Sequence, residues 1–351
     1  MLLELALGAC AALIASLIAC GAQIASGPLD VPSAARQQHR APTPTSGGVG
    51  MALGLAAGLM ALSLLSHGWR AAVSTRGAAL LSLTAAFAYA FMVVGFIDDE
   101  RPLGPRLKFV LFTAASLAAA LTIGVVEEFP LGGGVSAHIG FGLGLVGTAA
   151  WVFTLVNCVN FMDGANGLAM GCVAIGLTAL AAIAHTQGSP IGAAIGTCGA
   201  GALVGFLVWN FPSGRLFAGD SGALFAGALA ALTSLLVIGR TGLSPFVPPI
   251  LFFPLLADAL LTLAWRLRRR RSLLDSHSEH IYQIALRASW SHQRVALVYW
   301  GAAAACGVLA LFVANRDDGA PWIALAALGA LALFISARTR HYALKHGIAE
   351  G

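Results

Sequence analysis

Apolar runs of about twenty residues follow one another along almost the whole chain, separated by short polar interruptions. A hydrocarbon layer about 30 Å thick takes about 20 helical residues to cross, and a helix satisfies its backbone hydrogen bonds within one segment. The pattern therefore predicts an all-α polytopic membrane protein with about eleven transmembrane helices. They are placed near 1–25, 47–67, 77–97, 107–126, 141–159, 167–185, 190–210, 219–238, 245–265, 294–314 and 320–337. The first run lacks a basic start and is longer than the core of an ordinary cleaved leader, so it is expected to stay as an anchor.

Composition narrows the class. Of 351 residues, 58% are hydrophobic and only 10% charged, too few charges to cover a soluble surface around so much apolar material. The six cysteines fall in or beside apolar runs with no metal-ligand spacing, and are expected as small, buried, reduced side chains. No short-period repeat or soluble domain interrupts the chain, so residues 1–351 form a single integral membrane domain. The expected surroundings are a lipid bilayer, with no nucleic-acid partner.

Basic residues orient the spans. With the N-terminus outside and the C-terminus cytoplasmic, the inward segments are 27–46, 98–106, 160–166, 211–218, 266–293 and the tail from 338. These and the adjoining helix ends hold sixteen of the twenty Lys and Arg residues; only Arg70, Arg76, Arg240 and Arg316 fall on the other side.

The inward stretches near 27–46, 98–108, 157–167, 210–222 and 266–293 also hold the chemistry-bearing residues. VGFIDDE closes the third span on Asp98, Asp99 and Glu100. Adjacent helical residues point about 100° apart, so both aspartates reach one site only if the helix frays there. In VNCVNFMDGANGLAMG, Asn157, Asn160, Asp163 and Asn166 recur every three residues and share one side of a helical or 3₁₀ turn, while Gly164 and Gly167 interrupt it. Broken backbone at membrane depth is tolerated where it lines a polar cavity. In NFPSGRLFAGDSG, Arg215 supplies a cation and a helix opens at Gly219-Asp220-Ser221-Gly222. Its free N–H groups and positive dipole end offer a seat for phosphate. Asp220 there serves either as the N-cap or as a ligand to a metal bridging carboxylate and phosphate.

The longest polar segment, RLRRRRSLLDSHSEHIYQIALR, has an arginine run suited to anionic lipid headgroups. His277 and His280 are weak as a zinc pair and better as donors to phosphate. The first inward loop is shaped by Pro32, Pro42, Pro44 and Gly47-Gly48, and it carries Arg36 and His39 as further phosphate contacts.

In this order the stretches resemble the polyprenyl-phosphate N-acetylhexosamine-1-phosphate transferases, glycosyltransferase family 4. The resemblance rests on GFIDD, NFMDGxxGLA, NFPxxxxFxGDxG and HxxHxYQ in sequence, and extends from Asp30 to about Arg287. That family includes the phospho-N-acetylmuramoyl-pentapeptide transferase of peptidoglycan synthesis and the enzymes that begin O-antigen, teichoic acid and related glycans. HSEHIYQ looks closer to the O-antigen and capsule initiators. The resemblance implies transfer of HexNAc-1-phosphate from a UDP-HexNAc to polyprenyl (undecaprenyl) phosphate, with loss of UMP. It also implies a bacterial inner membrane location, an active site on the cytoplasmic face, and a homodimer as a possible assembly.

By the same resemblance, Asp98, Asp99 and Asp220 are the catalytic carboxylates. Asp220 is the expected ligand of Mg2+, with Mn2+ as a substitute and Asp98 and Asp99 as further candidate ligands. Lys108, Asn157, Asn160, Asp163, Asn166, Phe217, His277 and His280 are expected to bind substrate, with Phe217 against the uracil. Arg36, His39, Arg101 and Arg215 are further phosphate contacts. Asn166 and Ala223 depart from the Asp and Ser that many relatives carry. A different class, a secondary transporter of an anionic substrate, also uses glycine-broken helices. Transporters place charges near the midplane, whereas Asp98, Asp163 and Asp220 sit at inward ends of spans and Asp258 is the main acid deeper in one.

Overall fold

The computed structural model describes residues 1–27, 29, 30, 43–272, 279–316 and 318–348. The helices are α1 (Leu2–Ser26), α2 (Gly47–Leu65), α3 (His67–Ala72), α4 (Thr75–Glu100), α5 (Pro105–Ile123), α6 (Gly140–Met162), α7 (Leu168–Thr186), α8 (Pro190–Asn210), α9 (Gly219–Thr241), α10 (Val247–Leu251), α11 (Phe253–Arg268), α12 (Ile281–Arg287), α13 (His292–Val313) and α14 (Ala320–Lys345). Two antiparallel strand pairs accompany the helices: β1 (Leu29–Asp30) with β2 (Thr43–Pro44), and β3 (Glu128–Gly132) with β4 (Val135–His138).

Among the described residues ten helices, rather than eleven, are long and apolar enough to cross a bilayer: α1, α2, α4 to α9, α13 and α14. The run expected as one span at 245–265 is instead α10 and α11, parted at Phe252. Pro248, Pro249 and Pro254 each lack the N–H that a continuous helix needs, so the helix stops and restarts. The β3–β4 hairpin lies between the spans expected at 107–126 and 141–159. Its turn glycines Gly133 and Gly134 hold φ of +62° and +77°, the backbone of a tight two-residue connection.

Burial sorts the helices into layers. Every residue of α9 from Ser221 to Val237 is buried, which is why that helix can be apolar all round. Helices α7 and α8 share the interior with it, whereas α14 turns Leu331, Leu333 and Phe334 outward. Close approach comes from small residues: a Cβ on Gly201 would lie 2.4 Å from the Ala9 carbonyl, and one on Gly205 2.5 Å from that of Leu13. The cysteines are free, and all but Cys10, which is exposed on α1, are buried.

Because successive long helices reverse direction, the C-terminal ends of α4, α6, α8 and α11 and the N-terminal ends of α5, α7, α9 and α13 lie at the same end of the bundle. Of the stretches singled out above, residues 31–42 and 273–278 lie outside the described residues, and with them Arg36, His39 and His277.

Candidate active site

Helix α4 runs without fraying through Glu100, and its last turn lies flat against the start of α9. Gly95 permits this: a Cβ there would stand 2.5 Å from the backbone carbonyl carbon of Asp220. The two neighbouring aspartates therefore serve different partners across a seam, and no unwinding is needed.

Asp99 faces α9. Its Oδ1 accepts the Asp220 N–H at 2.8 Å and its Oδ2 the Ser221 N–H at 3.0 Å. The seat expected for a phosphate at this helix start is thus already taken by a carboxylate of the protein, which balances both the orphan donors and the helix dipole. Gly219, at φ +69°, brings the chain into the helix; a Cβ there would lie 2.6 Å from Asp99 Oδ2.

Asp98, buried, accepts the Leu103 N–H at 2.6 Å and pairs with the ammonium of Lys108. Lys108 is carried by the first turn of α5, which Pro105 starts. Its Nζ also lies 3.1 Å from Asp220 Oδ2, and the other oxygen of Asp220 accepts the Asn160 amide at 2.9 Å. One cation thus ties α4 to α9, and one amide ties α6 to α9.

Asp163 ends α6 at the adjacent turn and is half-buried. Burial, and then the negative charges of Asp220 and Asp99, hold its carboxyl well above the usual carboxylate range. The other two members of the every-third-residue pattern turn elsewhere. Asn157 donates to the Phe153 carbonyl at 2.7 Å, one turn back on its own helix. Asn166 bridges to the α8–α9 connection through its side-chain bond to the Pro212 carbonyl, 3.2 Å. The turn between them is held at several points. Gly167 N–H donates to Asn210 Oδ1 at 2.6 Å, Trp300 Nε1 donates to the Gly167 carbonyl at 2.9 Å, and Asn166 N–H donates to His292 Nδ1 at 3.2 Å.

Phe217 is half-buried on the α8–α9 connection, its N–H donating to the Pro44 carbonyl at 2.8 Å and its carbonyl accepting the Gly47 N–H at 3.1 Å. Arg101 caps the end of α4 with an exposed side chain, and Arg215, also exposed, stacks over Trp209 at 5.5 Å. His280 departs from expectation. It is 2% exposed, with Nδ1 3.6 Å from Asp258 Oδ1, and its ring lies between those of Phe161 and Tyr282. It is buried against Asp258 and two aromatic rings. Asp258, Tyr282, Tyr299, His292 and Trp300 support the site from behind. The visible signal for Asp258 was its being an acid inside an apolar run.

Among the described residues, no group of three or more His, Cys, Asp or Glu side chains could hold a metal ion unaided. Mg2+ needs less than that, since it commonly takes one or two carboxylates and fills its shell with water and substrate phosphates. Asp220 fits such a role, because its Oδ2 is already held by a cation, the Lys108 ammonium, whose place a metal could take. Asp99 fits less well, since a metal there would displace the two backbone N–H groups that its oxygens hold at the start of α9.

Residues 80–238, which run from α4 to α9 and include every member of this carboxylate cluster, match Glycosyl transferase family 4. Over 316 residues the chain is 32% identical to a decaprenyl-phosphate N-acetylglucosaminephosphotransferase of Mycobacterium tuberculosis (strain ATCC 25618 / H37Rv), an alignment covering 81% of this chain and 76% of that relative. The chain belongs to this family. A phospho-N-acetylmuramoyl-pentapeptide-transferase of Desulforudis audaxviator is 31% identical over 301 residues, 79% of this chain and 86% of the relative. A probable undecaprenyl-phosphate N-acetylglucosaminyl 1-phosphate transferase of Bacillus subtilis is 25% identical over 279 residues, 78% and 74% of the two chains. Family membership accounts for the matched region from Leu80 to Ile238, while α12 and its histidine lie beyond it.

Proposed function

We propose that this chain transfers a HexNAc-1-phosphate from a UDP-HexNAc to a polyprenyl phosphate, undecaprenyl phosphate or a near homologue, as the first membrane step of a cell-surface glycan. The observation that carries the reading is the meeting of Asp98, Lys108, Asn160 and Asp220, from four helices, at one end of the bundle. The relatives' names, which specify polyprenyl phosphates and sugar phosphate transfer, support the same reaction class. The concentration of basic residues at that end favours a cytoplasmic site in the bacterial inner membrane, where nucleotide sugars are available.

In the reaction an oxygen of the lipid phosphate attacks the β-phosphorus of the nucleotide sugar. A new P–O bond forms, the bond to the α-phosphate oxygen breaks, and UMP leaves while the lipid diphosphate sugar stays in the membrane. The difficulty is bringing anions together, so the protein's task is positioning and charge compensation. Lys108 meets incoming phosphate from the α5 side, Asn160 donates from the α6 side, and Asp99 holds the start of α9 so that Asp220 keeps its place. Asp98, paired with Lys108, is the carboxylate assigned to the acceptor side, where it would take a proton from the lipid phosphate. Mg2+, when bound at Asp220 with substrate phosphates, would supply the remaining positive charge.

The test is purified protein with undecaprenyl phosphate, Mg2+ and a panel of UDP-HexNAc donors, scored by UMP release and by the lipid product. Turnover with at least one donor is expected. Absence of UMP across the panel, with protein that is folded and binds nucleotide, would overturn the reading.

A further inference from the structure

We infer that Asp258 is a positioning residue for the site: it fixes the first turn of α12 so that Tyr282 holds the Phe161 carbonyl, and through it the Asn160 to Asp163 turn, in register with Asp220. The inference rests on the reaction proposed above for its kinetic consequence, but its structural part stands alone.

Asp258 is 4% exposed inside the bundle on α11, and a lone carboxylate there is costly unless fully partnered. Its partners converge from four directions. Oδ1 accepts the Ile281 N–H at 2.8 Å and the Thr262 hydroxyl at 3.2 Å; Oδ2 accepts the Tyr282 N–H at 3.1 Å and the Tyr299 hydroxyl at 2.6 Å. Two of these donors are the first N–H groups of α12, which has only seven residues. So short a helix has little stability of its own, and its direction is set by what caps it. A capping box between His280 and Gln283 closes the same end locally.

What α12 carries is Tyr282, 2% exposed, whose hydroxyl donates to the Phe161 carbonyl at 3.2 Å. The hydroxyl is pressed against the next turn, for a Cβ on Gly164 would lie 2.1 Å from it. Phe161 is adjacent to Asn160, whose amide reaches Asp220. The path from Asp258 to Asp220 thus runs through the Tyr282 backbone, its hydroxyl, the Phe161 carbonyl and the Asn160 amide. The far side of the segment is anchored too. Glu279 pairs with Arg266 and Arg271, and Arg340 donates to the Glu279 carbonyl at 3.2 Å and to Thr262 at 2.8 Å.

The experiment is a double-mutant cycle of Asp258→Asn and Tyr282→Phe. Asn keeps the shape but turns an NH2 toward a backbone N–H; Phe keeps the ring and removes only the hydroxyl. Each single variant should lower kcat by about ten- to a hundredfold with KM for the nucleotide sugar within about twofold, as expected of a small misplacement. The double variant should be no worse than the poorer single one, because both act through one contact. Independently of turnover, amide exchange in peptides spanning 160–167 of the substrate-free protein should speed up in both variants, with α9 unchanged. Additive kcat losses, or unchanged exchange at 160–167, would overturn the inference. If Asp258→Asn does not fold, Tyr299→Phe, which removes a single bond to Oδ2, takes its place in the cycle with the same expectations. Failure of wild-type turnover would count against the proposed reaction alone, since the exchange readout needs none.

Discussion

Replacing Asp99 with asparagine separates a role in chemistry from the role the structure displays. The carboxylate accepts two N–H groups from the first turn of α9, at 2.8 and 3.0 Å. The amide can accept only one, and its NH2 then confronts the other N–H. A hydrogen bond to a charged acceptor contributes about 1.5–3 kcal/mol. Losing the negative charge at the positive end of the helix adds about 0.3–1 kcal/mol. The buried site also ceases to hold a charge away from water, and that relief offsets part of the loss. A net destabilisation of about 2 kcal/mol remains, or a fall in Tm of roughly 3 °C for a chain of this size. The assay is thermal unfolding in detergent beside UMP release, with Asp98→Asn for comparison. Asp98→Asn should cost less stability, because Lys108 keeps its contact with Asp220. An Asp99→Asn protein with wild-type Tm but no turnover would refute the capping argument and return Asp99 to the chemistry.

Four further outcomes follow from the same geometry. Lys108→Met leaves Asp98 and Asp220 facing each other without a cation, and UMP release at saturating Mg2+ should fall about a hundredfold or more. Gly95→Ala forces a Cβ to 2.5 Å from the backbone of α9; the protein should be recovered poorly or inactive, and normal yield with full activity would contradict the packing. Asp163 has a carboxyl raised in the folded state by burial and by Asp220 and Asp99, so the ligand-free fold binds a proton there more tightly than the unfolded chain. Its stability should therefore decline as pH rises from about 4, and Asp163→Asn should raise Tm at neutral pH and flatten that decline while abolishing turnover. Chelation with EDTA should stop UMP release, and Mg2+ or Mn2+ should restore it; persistent turnover would contradict a divalent cation.

The span pattern was legible because bilayer thickness imposes a length on apolar runs, and the alternation of basic loops put the chemistry at one end. The break at Phe252 was written in Pro248, Pro249 and Pro254, but averaging hydropathy over the run hides a missing N–H. At the site, the spacing of Asp98, Asp163 and Asp220 at helix ends showed which acids could meet. It could not show that Asp99 caps a helix remote in sequence, because that depends on Gly95 bringing α4 against α9. Nor could the histidine motif show that His280 is buried. His280 and an isolated acid on α11 are linked only by the fold, across twenty-two residues of sequence.

Charge balance is the reason we propose a divalent cation for this site. Among the described residues, four carboxylates, Asp98, Asp99, Asp163 and Asp220, stand with one ammonium paired among them, that of Lys108. The α9 dipole and two backbone donors compensate Asp99, and Lys108 compensates one of Asp98 and Asp220. Burial, and then the charges of Asp220 and Asp99, raise the Asp163 carboxyl above the usual carboxylate range. Bringing a lipid phosphate and a nucleotide diphosphate to this cluster adds negative charge to carboxylates that share one ammonium among the described residues. Each like-charge pair at about 4 Å costs about 4 kcal/mol at the effective dielectric of a protein surface. Lys108 cannot serve both carboxylates and both substrates at once. Asp220 would hold a divalent ion, whose charge would leave Lys108 free for the acceptor. On this reasoning, metal and nucleotide sugar should bind with positive cooperativity: Mg2+ should tighten UDP-HexNAc binding in the wild type, and Asp220→Asn should lose that coupling.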